Sequence, residues 1–181
     1  MTRKHAGAWL AAFPSPPLGL WIASQEFVAA ARLWLGIASQ ADSRALLRQG
    51  VAMYGRHHAL RDCLFEAARA AEQRPWREQA IDSSGKRPAD VYFPAWSQGR
   101  PLALDVTISH PSQGWLPAAA DMVDTLAGRV AERIGVAKSV ASRQLWQRLS
   151  VVLWRGNARQ VLHAAGPGPA SSPWTQTALR A

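Results

Sequence analysis

Apolar and polar positions alternate at helical spacing in two stretches of the chain's first half. In "SQEFVAAARLWLGIAS", Ser24 is placed to cap a helix, and Phe27, Ala31, Trp34 and Leu35 fall on one apolar face. In "RHHALRDCLFEAARAAEQ", Leu60, Leu64, Ala67 and Ala71 form an amphipathic stripe, with Arg61, Asp62, Arg69 and Glu72 assigned to the surface. Pro75 closes that helix. Residues 1–24 are irregular, and "QADSRALLRQGVAMYG" is weakly patterned. The pattern then changes period. "PWREQAI", "ADVYF" and "LALDVTIS" read as short strands, the last two ended by Pro94 and Pro111. The intervening "PAWSQGRP" reads as a hairpin connection. A long helical region over 117–148, broken near Gly135, precedes a further strand candidate, "RLSVVLWRG". The Pro/Gly/Ser-rich tail 166–181 has the composition of a disordered segment.

Helix, three strands, helix and strand in this order predict a mixed α/β (α+β) core with a small central sheet flanked by helices. The expected organisation is a helical or irregular N-terminal extension (1–50), a core domain (51–165) and a tail (166–181). At 181 residues one domain is the default. No run of eighteen apolar residues is present, so no membrane span is expected. The opening "MTRKHAGAWLAAFPSPPLGLW" breaks at its prolines and makes a poor secretory signal. A single cysteine, Cys63, excludes an internal disulfide and a cysteine-rich zinc cluster, which fits a reducing, intracellular compartment. Twenty-one Lys and Arg against twelve acids give a net charge of +9. A positive field of that size favours a polyanionic partner, nucleic acid first, although GC-rich coding sequence drifts toward arginine with no function attached.

Two of the strand-like runs each carry one aspartate, Asp90 and Asp105, where an apolar residue is expected. Burying a carboxylate there is costly without compensation. Paired carboxylates on adjacent strands are a hard-oxygen site for Mg²⁺ or Mn²⁺. Such an ion lowers the pKa of bound water and neutralises charge on a scissile phosphate. The alternative is ordinary side-chain bonding to nearby backbone N–H groups.

Four segments in order, "RHHALRD", "RPADVYFPAW", "GRPLALDVTIS" and "QRLSVVLWRGNA", resemble the restriction-like endonuclease domain of site-specific non-long-terminal-repeat retrotransposons and related free-standing proteins. That domain belongs to the PD-(D/E)xK nuclease superfamily, and the resemblance spans most of residues 5–165. It implies a restriction-endonuclease-like core and DNA cleavage by a metal-activated water, in a nuclear location. Asp90 and Asp105 would be Mg²⁺ (or Mn²⁺) ligands. A third acid would come from Glu78 in "PWREQ", preferred over Glu66 in "LFEAA". Arg56, Lys86, Arg87 and Arg100 would meet DNA. The chain departs from the pattern twice. The motif lysine two residues after the second acid is Thr107, leaving Lys138 as a displaced catalytic candidate. The Cys/His zinc segment of many relatives is absent from "GIASQADSRALLRQGVAMYG".

His57, His58 and His110 are further candidates for phosphate contact or proton transfer, set against an inert surface role. Trp34, Trp146 and Trp154 fall on apolar faces and read as core, and Cys63 as a packed thiol. No Gly-rich phosphate loop is present, so no nucleotide cofactor is expected. Three functions compete: a metal-dependent DNA endonuclease of retroelement origin, a catalytically inactive form of the same fold that still binds nucleic acid, and a mainly helical basic binding protein.

Overall fold

The structure is a computed structural model that describes residues 8–41, 44, 51–78, 83, 85, 89–106 and 117–165. Expectations that fall on the tail, on Lys86, Arg87, Thr107 and on His110 lie outside these residues.

Short 3-10 turns at Ala8–Ala11 and Pro16–Leu18 lead into helix α1, Ser24–Trp34. Its cap position is Ala23, one residue before the expected Ser24, and the Glu26 carboxylate accepts the Ala23 N–H at 3.1 Å. The buried face is also not the expected one. Glu26, Ala29 and Ala30 are buried, while Phe27 and Leu35 are exposed. Small side chains allow close helix approach, so the alanine face is the one that docks.

Helix α2, Val51–Ala70, buries Leu60, Leu64, Ala67 and, just beyond its last turn, Ala71, as its spacing predicts. Its end is closed by a pair of bonds, Gln73 N–H to Ala68 O and Glu72 N–H to Arg69 O, with Glu72 at φ 56° where glycine is usual.

Strands β1 (Trp76–Arg77), β2 (Val91–Ser97) and β3 (Arg100–Leu104) make one antiparallel sheet in the order β1-β2-β3. The β2–β3 turn is the expected hairpin. Gln98 (φ 51°) and Gly99 (φ 73°) both take left-handed backbone, and Ser97 pairs with Arg100. Pro94 does not end β2. It lacks an N–H, and the register shifts between Phe93 and Ser97.

Helices α3 (Pro117–Ile134) and α4 (Lys138–Ala164) flank Gly135 at φ 70°, where the break was expected. The expected strand "RLSVVLWRG" is helix inside α4. Its apolar run has no simple period because α4 packs on two sides. Ala141, Leu145, Trp146 and Leu149 join α2, α3 and the inward-facing Val91 and Phe93 of β2 in the main core. Val151 and Ala158 join Trp9, Leu20, Ala29 and Ala30 in a second cluster.

The architecture is thus α+β: four helices with a small three-stranded antiparallel sheet among the described residues. Trp146 is core as expected, Trp34 is exposed, and no described helix is long and apolar enough to cross a membrane.

Candidate functional site

The ladder pairs Arg77 with Val91 and Val91 with Leu104. One step further along the same register lie Glu78, Asp90 and Asp105, so the three acids singled out in the sequence share one row across the sheet end. One backbone bond carries the register into that row, Glu78 N–H to the Asp90 carbonyl at 3.3 Å, while the Val106 N–H is taken by the side-chain Oδ2 of Asp90 at 2.6 Å. Glu78 holds φ 45°, a sparsely populated conformation for a non-glycine residue.

Helix α2 closes over this end with two donor side chains, His57 and Arg61, one turn apart. His57 Nε2–H donates to Asp90 Oδ2 at 2.9 Å. Both donors to Asp90 therefore fall on the same oxygen. Arg61, buried, bonds Glu78 Oε1 and also Asp62 Oδ1 at 2.8 Å. Arg77 completes the network, donating to Asp62 at 3.0 Å and lying 5.3 Å over the Phe65 ring. Burial pushes the Asp62 carboxyl up, but the hydrogen bonds and charges of Arg61 and Arg77 outweigh it and hold the group below its ordinary value.

Asp105 is exposed. Its neighbours Leu104 and Val106 pack on the main core with Leu102, so strand alternation turns Asp105 to the opposite face. Asp90 and Glu78 are thus drawn to α2 while Asp105 faces away. Among the described residues, no three His, Cys, Asp or Glu side chains are grouped to hold a metal ion. The oxygen donors suit Mg²⁺ in kind but not in this arrangement.

Compared with protein-family models, with curated proteins and with solved structures, the chain matches none.

The remaining expected site residues disperse. Lys138 opens α4 and lies over Gly128 of α3, in a shallow depression with Thr125, Arg129, Glu132 and Val136, apart from the acidic row. Arg56, expected at DNA, is instead buried. It donates to Asn157 Oδ1 at 2.6 Å and packs over Gly156, and burial lowers its guanidinium from the ordinary value. Arg100 is exposed at the hairpin, the other end of β3 from Asp105. Glu66 is a surface charge 3.5 Å from Arg69. His58 is exposed beside Tyr54. Cys63 is packed, and burial pushes its thiol up against the opposing charge of Arg148.

Sequence reasoning placed Arg61 on the surface, and the structure corrects this: the guanidinium is buried against Glu78 and Asp62. The available signal was the i, i+4 spacing of His57 and Arg61 in "RHHALRD", followed by acids in the strands.

Proposed function

We propose that the chain binds DNA through a basic fold related in element order to the restriction-endonuclease core, with Asp90 and Glu78 acting as ties that hold α2 to the sheet end. One observation carries this reading: both acids are already bonded to side chains of α2, His57 and Arg61. Those pairings satisfy the half-buried carboxylates without a metal, and the chain keeps a surplus of nine positive charges for phosphate. The helix, three antiparallel strands and helix of residues 51–134 support the relationship to the nuclease core. The relationship weakens at α4, where a fourth strand was expected.

A second reading, metal-dependent endonuclease, is favoured by the alignment of Glu78, Asp90 and Asp105 in one register row. The two readings part in a single assay. Supercoiled plasmid is incubated with the protein and Mg²⁺ or Mn²⁺, and duplex binding is followed over a salt series. The binding reading expects no nicking and a steep salt response. About four phosphate contacts cost roughly a hundredfold in affinity between about 50 and 200 mM salt. Nicking by the wild type that is lost in Asp90→Asn would establish the endonuclease reading. A flat salt response would remove the electrostatic basis of both.

A further inference from the structure

The sheet has two unlike faces. Val91 and Phe93 of β2 are fully buried against the helices. The opposite face carries the row Trp76–Tyr92–Ala103, one residue from each strand. Trp76 is 40% exposed there, and Ala103 and Pro101 are exposed as well. The Trp76 and Tyr92 rings stand side by side, centroids 5.7 Å apart and planes tilted by 48°. A two-residue edge strand gains little for the fold by presenting its largest side chain to water. Among the described residues, Arg74 is exposed two residues before Trp76, and the exposed Asp105 follows Ala103 by two residues on the same face.

From this face we infer a binding site for single-stranded DNA, in which unpaired bases stack on Trp76 and Tyr92 while Arg74 meets a backbone phosphate beside Trp76. The inference rests on the DNA-binding reading and specifies the form of DNA. In a duplex the faces of the bases are covered by their neighbours, so an exposed aromatic pair has nothing to stack on. In a single strand every base offers a π-face, which makes such a site tolerant of sequence. Open aromatics on a sheet with a cation at its edge combine the two interactions that unpaired polynucleotide offers, stacking and phosphate charge. The surplus of positive charge on the chain argues for a polyanion over an apolar protein surface as the occupant.

The test measures fluorescence anisotropy of labelled oligo-dT and of a blunt duplex of equal length, with the wild type, Trp76→Ala, Trp76→Phe and Tyr92→Leu, each checked by thermal melting. The expected result is a loss of oligo-dT affinity of about 5- to 100-fold for Trp76→Ala, the range that stacking one base supplies. Trp76→Phe should retain much of the affinity, and duplex binding should stay within about twofold of wild type in all variants, since phosphate contacts carry it. Tyr92→Leu keeps the bulk of the site and should lose oligo-dT affinity alone, which covers the case of a poorly folding Trp76→Ala. Equal losses on both DNA forms, or no loss on either, would overturn the inference. Duplex binding without oligo-dT binding would overturn it and leave the DNA-binding reading in place. Binding of neither form would remove both.

Discussion

Gly156 and Arg56 offer the sharpest test of the packing around α4. A Cβ at Gly156 would lie 2.4 Å from Arg56 Cγ, 3.1 Å from Cδ and 3.4 Å from Cβ. These atoms are near the root of a buried side chain, so they cannot swing aside as a lysine tip would. Gly156→Ala in the middle of a helix should by propensity alone stabilise by about 1 kcal/mol. Against this stands overpacking, about 1–3 kcal/mol. Displacing Arg56 also breaks its bond to the buried Asn157 Oδ1, and an unsatisfied buried group costs about 1–3 kcal/mol. The clash and the lost bond together outweigh the propensity gain, for a net loss of about 1–5 kcal/mol. For a chain of this size that lowers Tm by about 2–20 °C. Urea or thermal unfolding of four proteins closes the cycle: wild type, Gly156→Ala, Arg56→Ala and the double variant. With Arg56 cut to alanine the obstructing atoms are gone, so Gly156→Ala should be neutral or stabilising in that background. If Gly156→Ala is as stable as wild type while Arg56 is intact, the close packing described here is wrong. A buried Arg56 further implies that Arg56→Ala, measured per folded molecule, leaves DNA affinity unchanged.

Arg61→Met should destabilise by about 1–3 kcal/mol in urea unfolding, because Glu78 and Asp62 both lose their bond to the buried guanidinium; Glu78→Gln in the same background should restore part of the loss. Asp62 is held below its ordinary value in the fold, so its stabilising contribution is present above the unfolded value of about 3.9 and fades as pH falls through the folded one. Asp62→Asn should therefore lower stability at neutral pH, with the difference from wild type shrinking in unfolding curves taken below about pH 4. Asp90→Asn should cost about 1–2 kcal/mol in the same measurement, since the bonds from His57 and the Val106 N–H lose their charged acceptor. DNA affinity of that variant should match or exceed wild type, because a negative charge has been removed.

What the sequence made legible was local. The Leu60–Leu64–Ala67 stripe, the Gln98–Gly99 turn and the stop at Gly135 each rest on spacing or backbone chemistry within a few residues. The end of α2 was less clear, because Glu72 takes a conformation that glycine would have signalled. The errors were tertiary. Apolar bulk marked Phe27 and Leu35 as the buried face of α1, but α1 approaches α4 closely enough that only its alanines fit. "RLSVVLWRG" read as a strand because α4 serves two apolar clusters at once, which erases the one-sided helical period. Of the candidate site, the acids were found and their shared row followed from the strands. Their partners were not, since His57 and Arg61 reach them only once the helix is laid over the sheet end.

Helix α4 also fixes a phase relation along the chain. Leu145 and Leu149 belong to the main core, while Val151, Ala158 and, at the margin, Leu162 belong to the N-terminal cluster. Each residue added to or removed from an α-helix turns everything beyond it by about 100°. An indel between Val151 and Ala158 would leave Leu149 in place but swing Ala158 and Leu162 away from Trp9 and Ala30. Two indels summing to about seven residues, close to two full turns, would bring the faces back into line. Whole turns restore the face but also slide Ala158 by about 5 Å per turn along the axis, so this stretch of the chain resists length change even where substitution of single residues is mild.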